Sequence, residues 1–165
     1  MPSYGWTAPD GSKWDSQYEY HVFTAIKALG LNVRRCEKGG RDTFNYQEAA
    51  RGLRCLDCGS SQCVQERTYT ADFYIAPDGE ELDGPPTGEG YYIEAKGYFR
   101  QNKRGLFRHF RRSHPTADVR MVAQKNIRIG KGNLASWCKS YGKIPVHFWD
   151  HKKDDVIDVI PEEWM

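Results

Sequence analysis

The sequence predicts a mixed α/β (α+β) domain in which a central β-sheet is flanked by helices. Residues 68–75 and 91–96 are runs of strand length rich in aromatic and β-branched side chains, and a loop rich in Gly, Pro and acids separates them. Two further apolar runs, 119–123 and 145–149, each follow a segment whose apolar residues recur at helical spacing. This alternation of helices and strands is typical of one sheet covered by helices.

The first elements are predicted by residues that begin and end helices. Ser16 and Glu19 have the spacing of a capping box, apolar residues then recur at helical spacing, and Gly30 ends the helix. Before this helix, residues 1–14 are rich in Gly, Pro and aromatic residues, and we expect a loosely ordered arm. After it, residues 32–35 predict a short strand.

Helices and strands alternate after the two central runs. Residues 102–113 predict a basic helix that a His-Pro pair ends. Asn133 is suited to cap a further helix, which Gly142 closes. The apolar side of that helix comprises Leu134, Trp137, Cys138 and Tyr141. The last apolar run, residues 156–160, is expected to pack on the core.

Length and composition are those of one folded domain. At 165 residues the chain is long enough for a substantial core, and we expect a single domain over residues 1–165. Aromatic residues make up 13% of the chain, which argues against disorder. Since no apolar run approaches membrane-spanning length and the polar N-terminus does not resemble a signal peptide, we expect a cytoplasmic protein without a membrane partner.

Charge is distributed unevenly along the chain, although the formal net charge is only +2. Residues 96–112 hold seven Lys or Arg and no acid, whereas residues 154–163 hold five acids and no base. The predicted basic helix therefore presents either a solvated basic face or a surface for DNA phosphates. The candidate DNA contacts are Arg100, Lys103, Arg104, Arg108, Arg111 and Arg112 around this helix, with Lys125, Arg128 and Lys131 as a second basic edge.

Two acids and a lysine fall on the two most clearly predicted strands. Glu94 and Lys96 lie two residues apart, so their side chains point to the same face, and Asp72 approaches that face if the two strands form a hairpin. Two carboxylates and an ammonium at one point are typical of a Mg²⁺ site with a lysine beside an attacking water, as in metal-dependent phosphodiesterases. A cross-strand salt bridge between Lys96 and an acid is the alternative.

Four of the five cysteines fall in residues 36–67, where periodicity is weak. Cys55 and Cys58 form a C-x2-C pair, Cys63 follows, and Cys36 lies upstream, so four thiolates are present for one tetrahedral structural Zn²⁺ site. We predict a small zinc-binding insert over residues 36–67, because a metal would supply folding energy that the few apolar residues there do not. Reduced, partly buried cysteines and a C-x-x-C redox motif are the alternatives.

Several short motifs give the chain a family resemblance. They are Tyr69-Thr70-Ala71-Asp72-Phe73, Glu94-Ala95-Lys96-Gly97, His114-Pro115 leading into Asp118-Val119-Arg120-Met121-Val122, Lys131-Gly132, Trp137-Cys138-Lys139 with Tyr141-Gly142, and Ile160-Pro161-Glu162-Glu163-Trp164. In these motifs the chain resembles phage endonuclease I, the Holliday-junction resolvases of tailed bacteriophages within the PD-(D/E)xK nuclease superfamily. The resemblance covers residues 16–35 and 68–165. The chain departs from the family pattern at Ala71, which replaces a proline, in a longer hairpin before Glu94, and in a basic rather than acidic segment after Lys96.

The resemblance implies a restriction-endonuclease-like fold and a nuclease domain. It implies that Asp72, Glu94 and Glu19 bind two Mg²⁺ (or Mn²⁺) ions, while Lys96 positions or activates the nucleophilic water. It also implies a homodimer that resolves four-way DNA junctions by paired phosphodiester hydrolysis, in the cytoplasm of an infected bacterial host. Glu19 has a second, local interpretation as the glutamate of the capping box.

Two other functions fit the same residues. A restriction-type or repair nuclease acting on duplex DNA would use the same acids and lysine. A non-catalytic zinc-ribbon DNA-binding module would use them only as structural charges. The intact set of two acids and a lysine argues against this last function.

Overall fold

The computed structural model describes residues 5–49 and 64–165, in which short strands alternate with helices. In the N-terminal half the elements are β1 (Trp6–Thr7), β2 (Lys13–Trp14), α1 (Gln17–Ala28), β3 (Val33–Arg35), β4 (Thr43–Ala49), β5 (Val64–Thr70) and β6 (Phe73–Ile75). In the C-terminal half they are β7 (Tyr91–Lys96), α2 (Gln101–Ser113), β8 (Val119–Ala123), β9 (Arg128–Ile129), β10 (Gly132–Asn133), α3 (Leu134–Trp137) and β11 (Val146–Phe148). A π-helix, Cys138–Gly142, extends α3, and 3₁₀ turns cover Val156–Asp158 and Glu162–Trp164.

Five strands form the central mixed sheet, in the order β11-β8-β7-β6-β3. The pairs β3–β6 and β6–β7 are antiparallel, whereas β7–β8 and β8–β11 are parallel. Parallel neighbours need a crossover connection, which α2 provides between β7 and β8, and α3 with its π-helix between β8 and β11. The prediction of a mixed sheet flanked by helices is confirmed.

Helices cover both faces of this sheet. On one face Ile26 of α1 packs in a cluster with Ile93 of β7. On the other face Phe107 and Phe110 of α2 pack with Met121 of β8. Each of these side chains is almost completely buried, and each such burial contributes roughly 1.5–3 kcal/mol. Among the described residues, no helix combines the length and the apolar character that crossing a bilayer requires.

The N-terminal segment is a small antiparallel ribbon of β1 and β2, so the prediction of a loosely ordered arm is wrong for residues 5–14. Trp14 is buried in the core, and its ring centroid lies 5.2 Å from that of Phe23 and 6.4 Å from that of Phe73. Burying so large an apolar surface fixes the segment on the fold, which its Gly and Pro content did not reveal. Residues 1–4 lie outside the described part of the chain.

A second ribbon pairs β4 with β5 along the whole length of both strands. It belongs to the segment where the sequence shows little periodicity. Phe44 and Tyr46 pack in the same cluster as α2, and the ring centroids of Phe44 and Phe110 are 5.3 Å apart. The described part of residues 36–67 is therefore packed on the main core. Residues 50–63 lie outside the described residues, and with them the predicted zinc ligands Cys55, Cys58 and Cys63.

The helix starts follow the capping residues seen in the sequence. At the start of α1 the Glu19 backbone N–H donates to Ser16 Oγ at 3.2 Å, and Asn133 forms a capping box at the start of α3. The predicted apolar side of the last helix is wrong at Tyr141, which is exposed. The reason is that the chain continues beyond α3 as a π-helix, whose side chains follow a different angular spacing.

The C-terminal segment packs partly on the α1 face of the sheet. Val159 and Ile160 are buried in the cluster that contains α1, as expected for the last apolar run. Val156 and Ile157 are exposed instead, because they belong to a 3₁₀ turn on the surface. The C-terminal acids therefore lie on a surface turn, away from strand and helix interiors.

Candidate active site

Asp72 lies at an interruption between β5 and β6, which the sequence predicts as one strand over residues 68–75. Its backbone keeps the hydrogen bonds of a strand: Asp72 N–H donates to Ile93 O at 3.1 Å, and Cys36 N–H donates to Asp72 O at 3.0 Å. Its side chain turns toward β7, where Asp72 Oδ2 accepts the Ala95 N–H at 2.7 Å. Two hydrogen bonds therefore fix the Asp72 backbone in the sheet, and the third holds its carboxylate beside β7.

Glu94 and Lys96 lie on β7, next to Asp72. Because Phe73 pairs with Ile93 in antiparallel register, Asp72 and Glu94 are neighbours across the two strands. Lys96 Nζ forms an ion pair with Glu94 Oε1 and lies 3.9 Å from Asp72 Oδ2. All three side chains are largely buried, with exposures of 16% for Asp72, 6% for Glu94 and 19% for Lys96. The structure thus brings together three of the four predicted catalytic residues.

Glu19, the fourth predicted catalytic residue, reaches the same region from the first turn of α1. Its side chain is buried and close enough to Lys96, Asp15 and Glu94 for their charges to act on it. Burial raises the pKa of Glu19, as do the charges of Asp15 and Glu94, whereas Lys96 lowers it. The Glu19 backbone thus serves the helix start, while its carboxyl group belongs to the acidic cluster.

Tyr69 is a member of this site that sequence reasoning missed. Its hydroxyl donates to Glu94 Oε2 at 2.6 Å, and its buried ring packs against Phe107 and Phe110 of α2. Strict alternation along one strand would place Tyr69 on the face opposite Asp72. The interruption between β5 and β6 removes that alternation, so both side chains reach Glu94. The sequence signal that could have indicated this role is a tyrosine, Tyr69, three residues before Asp72.

The site holds more negative than positive charge. Burial raises the pKa of Asp72 well above its usual value, and the neighbouring Glu94 raises it further, against the opposing effects of Lys96 and the Ala95 N–H. Burial alone would lower the pKa of Lys96, but the carboxylates of Glu94, Asp72 and Glu19 outweigh it and raise that pKa. Lys96 is therefore a protonated ammonium that partly neutralises three surrounding acids.

The donor set of this cluster suits a hard cation. Mg²⁺ prefers oxygen ligands such as carboxylates, which Asp72, Glu94 and Glu19 supply. In the described parts of the chain, no group of three or more His, Cys, Asp or Glu side chains is arranged ready to hold a metal ion. The carboxylate oxygens have other partners in this structure: Tyr69 donates to Glu94 Oε2, Lys96 pairs with Glu94 Oε1, and the Ala95 N–H donates to Asp72 Oδ2.

An open cleft of about 280 Å³ gives access to the acids from solvent. Asp72, Glu19 and Thr70 of β5 are among its lining residues. Its other lining residues are Asp15, Arg35, Cys36, Lys38, Ala71 and Phe73. Buried acids that open into a cleft with cations at its rim form a place where an anionic substrate can meet a metal ion.

The basic residues of α2 have different roles in the structure. Arg108 and Arg112 are exposed, whereas Arg111 is half-buried and donates to Ala117 O at 2.6 Å, in the turn that follows the helix. Arg104 is also half-buried. The predicted stripe of Arg104, Arg108 and Arg111 is therefore not uniformly available to DNA. Arg100, Lys125, Arg128 and Lys131 are exposed, and the Lys103 side chain lies outside the described residues.

Cys36 lies beside the candidate active site, next to Asp72 in the cleft. Burial raises the pKa of its thiol, and the charge of Asp42 adds to this, which disfavours the thiolate that zinc binds. Strand β5 separates Thr70, at this end, from Val64, which follows Cys63, by on the order of 20 Å at about 3.4 Å per residue. A tetrahedral site with Zn–S distances of about 2.3 Å is too small to include both ends of that strand.

Comparisons with protein-family models, with curated proteins and with solved structures found no match for the chain. The cluster of Asp72, Glu94, Lys96 and Glu19, with Tyr69 behind it, is the feature that most restricts the possible chemistry.

Proposed function

We propose that the chain is a Mg²⁺-dependent (or Mn²⁺-dependent) DNA endonuclease that resolves four-way junctions as a homodimer. The observation that carries this proposal is the cluster of Asp72, Glu94 and Lys96 at the edge of an open cleft, with Glu19 beside it. Three acids around one buried ammonium are costly for the fold, so a functional reason for keeping them is favoured over a structural one.

The order of elements supports the restriction-endonuclease-like part of the proposal. A helix is followed by the antiparallel strands β3, β6 and β7, then by the crossover helix α2 and the parallel strand β8. This order places one acid at the start of β6 and the acid–lysine pair at the end of β7, as the motif resemblance implies. It also brings the start of α1 to the same edge of the sheet.

In the proposed reaction, water attacks a phosphodiester and a P–O bond breaks. Asp72, Glu94 and Glu19 would hold two divalent ions, which neutralise the negative charge that develops on the phosphate and the leaving oxygen. Burial lowers the pKa of Lys96, but the carboxylates of Glu94, Asp72 and Glu19 raise it, which favours a protonated Nζ that donates hydrogen bonds and orients the attacking water. Of the two roles that the resemblance allows for Lys96, this environment favours positioning.

Junction preference and dimerisation rest on the motif resemblance and on the reaction. Resolving a four-way junction requires two symmetric cuts, and two paired active sites provide them. A restriction-type or repair nuclease acting on duplex DNA shares the same site and is the second candidate. The zinc-ribbon binding module is disfavoured, because a module without chemistry has no need of the buried acids.

A structural Zn²⁺ ion remains part of the proposal. Its ligands would be Cys55, Cys58 and Cys63, with the fourth supplied by a residue other than Cys36. The C-x2-C spacing supports this assignment. The position of Cys36 in the cleft supports leaving it out.

The experiment that tests the function is cleavage of a synthetic four-way junction beside a linear duplex with the same arms. Wild-type protein should cut the junction in Mg²⁺ and leave the duplex largely intact. Asp72→Asn and Glu94→Gln should each lower the cleavage rate by roughly 10³-fold or more while junction binding persists. Asp78→Asn, in an exposed turn six residues after Asp72, is the matched control.

Two outcomes would reject parts of the proposal. Equal cutting of junction and duplex would replace junction resolution by the second candidate. Cleavage by Asp72→Asn at the rate of Asp78→Asn would remove the site assignment altogether.

A further inference from the structure

We infer that Lys13, Arg35 and Lys38 form a basic groove that binds the phosphodiester backbone of a DNA strand next to the phosphate that is cut. This inference rests on the proposed nuclease function. It adds a surface that lies outside α2 and the edge around Lys125. In the sequence these three residues are scattered among acids and glycines, and the fold brings them to one rim.

The groove is continuous with the candidate active site. The cleft that contains Asp72 and Glu19 is also lined by Arg35 and Lys38. A second cleft of about 320 Å³ is lined by Gly5, Lys13, Trp14 and Asp15, and Asp15 lines both clefts. Asp15 therefore lies between the two clefts, which places Lys13 of the N-terminal ribbon next to the cleft that Asp72 and Glu19 line.

Arg35 is held ready for an anion. Its guanidinium lies 3.9 Å from the ring centroid of Trp14, and its side chain is exposed. Trp14 is itself fixed, because it is buried and its Nε1–H donates to Ser12 Oγ at 2.7 Å. Within the described residues Arg35 makes no ion pair with a carboxylate. A stacked guanidinium loses less conformational freedom on binding, and its planar donors match a phosphate.

Lys38 can exchange its present partner, Asp15, for a phosphate. It pairs with Asp15 at 2.8 Å across the cleft, and 78% of the Lys38 side chain and 54% of the Asp15 side chain are exposed. An ion pair this exposed contributes little to stability, so little is lost when Lys38 turns to a phosphate instead.

Residues 34–41 contain two further cations, Arg34 and Arg41, which have other partners. Only Arg35 and Lys38 of this segment therefore contribute to the groove. Arg34 forms a buried ion pair with Asp42, with Nη2 donating to Oδ1 at 2.8 Å. Arg41 donates to the carbonyl oxygens of Leu82 at 2.8 Å and Gly84 at 2.6 Å and so holds a surface loop. Arg35 and Lys38 are the members of this segment whose charges face the cleft.

A DNA backbone is the occupant that this arrangement favours. The acids at the cleft floor repel a phosphate chain, so cations must hold the chain on either side of the reacting phosphate. Lys13 and Lys38 act as point charges on the strand, and Arg35 can form paired hydrogen bonds to one phosphate. These contacts would fix the strand's register without reading its sequence.

The first test compares Arg35→Gln and Lys38→Gln with Lys27→Gln. Lys27 is an exposed lysine on α1, about 12 Å along the helix axis from Glu19 at about 1.5 Å per residue. Junction binding is measured in Ca²⁺ over a range of salt concentrations, with thermal unfolding as the check on folding. We expect each groove variant to bind about three- to tenfold more weakly, and the salt slope to fall by about 0.9 for each phosphate that is no longer neutralised.

The second test uses DNA with one neutral methylphosphonate linkage, placed in turn at each position near the cut. In wild-type protein, neutralising the contacted phosphate should weaken binding about as much as Arg35→Gln does. In the Arg35→Gln protein, the same methylphosphonate should cause no further loss. Such non-additive losses link Arg35 to one particular phosphate. A merely structural effect of Arg35→Gln would instead add to the effect of the methylphosphonate.

The outcomes separate the two proposals. If wild-type protein binds and cuts the junction while both groove variants bind as Lys27→Gln does, the groove is not a DNA surface, and the nuclease function stands. If wild-type protein neither binds nor cuts DNA, the nuclease function fails and the groove assignment fails with it. Should Arg35→Gln lower thermal stability, Lys38→Gln decides, because its exposed side chain has no packing role.

Discussion

Tyr69 links the packing of the fold to the chemistry of the site. Its ring is held by Phe107 and Phe110 of α2, and its hydroxyl donates to the Glu94 carboxylate. A second partner behind a metal ligand fixes the direction of that ligand, and losing it typically costs 10–100-fold in metal affinity or activity.

We predict that Tyr69→Phe keeps the fold but raises the Mg²⁺ concentration needed for half-maximal cleavage, by about tenfold. The ring stays in place, so only the hydrogen bond to Glu94 is lost. Titrating Mg²⁺ in a single-turnover cleavage assay measures the effect. Tyr46→Phe, a buried tyrosine on the other strand of the same ribbon, is the matched control. An unchanged Mg²⁺ requirement for Tyr69→Phe would show that Glu94 does not need this bond.

The raised pKa of Asp72 means that the ionised carboxylate lowers the free energy of unfolding at neutral pH. Its folded-state pKa lies above the unfolded value of about 3.9, mainly because of burial and then because of Glu94. Between these two pKa values the folded state binds more protons than the unfolded state, so the free energy of unfolding falls as the pH rises.

Asp72→Asn should therefore be more stable than wild-type protein at pH 7–8, and the difference should shrink as the pH falls toward 4. About 1 kcal/mol corresponds to roughly 2–4 °C in Tm for a domain of this size, which calorimetry resolves. Asp78→Asn, in an exposed turn, controls for the substitution itself. A variant less stable than wild-type protein at pH 8 would mean that the Lys96 interaction and the Ala95 hydrogen bond outweigh the burial of the charge.

At the scale of elements, α2 combines two roles that the sequence presents as one basic stripe. Arg111 supports the turn after the helix through the Ala117 carbonyl oxygen, while Arg108 and Arg112 are exposed. Charge alone does not distinguish these roles, because the difference depends on where the following chain passes.

We expect Arg111→Gln to lower the free energy of unfolding by about 1 kcal/mol, because the half-buried Ala117 carbonyl oxygen loses the shorter of its two hydrogen bonds and keeps only that from the Val119 N–H. The double variant Arg108→Gln with Arg112→Gln should leave Tm unchanged and weaken binding to junction and duplex alike. Thermal unfolding and salt-dependent binding on the same preparations separate the two effects. Equal losses of DNA affinity in both proteins without a stability change would restore the single-stripe interpretation.

The ribbon of β4 and β5 is the element least evident from the sequence. Its strands alternate poorly in hydrophobicity because only a few side chains, such as Phe44, Tyr46 and Tyr69, pack on the core. Its base is adjacent to Cys36, and the other three clustered cysteines fall in the 50–63 segment that connects its strands.

We predict about one equivalent of Zn²⁺ per chain, lost in Cys55→Ser and retained in Cys36→Ser. We expect Cys36 not to be a ligand, because it lies at the base of the ribbon, beside Asp72. Elemental analysis of protein purified without added metal measures this directly. Loss of zinc from the Cys36→Ser protein would show that the four-cysteine site predicted from the sequence is correct.

At the scale of the whole molecule, the sheet and its helices could be predicted because their signals are local. The boundaries of β8 and of α1 follow from apolar spacing and from Ser16 and Gly30. The placement of Trp14, the interruption at Asp72 and the groove of Lys13, Arg35 and Lys38 could not be predicted, because each depends on contacts between segments distant in sequence. Asp72, Glu94 and Lys96 could be found from their residue types and spacing, whereas the role of Tyr69 depends on the interruption between β5 and β6, which the sequence does not show.

The proposed homodimer predicts how cuts are paired. The protein should have twice the 19.0 kDa chain mass in solution, which light scattering measures. It should convert a cruciform plasmid to linear product, because two sites cut within one bound lifetime. Mixed dimers of wild-type and Asp72→Asn chains should yield nicked plasmid instead. Linear product from a monomeric species would contradict the pairing of sites.

The candidate site draws its residues from four distant stretches of chain: Asp15 and Glu19, Arg35 to Lys38, Tyr69 to Asp72, and Glu94 to Lys96. A ribosome that adds about 5–20 residues per second has made more than half of the protein before the last of these exists. Until β7 pairs with β6, no growing chain or early fragment can bring Glu94 and Lys96 beside Asp72. Any chemistry that needs this cluster is therefore absent from every shorter chain, by topology alone.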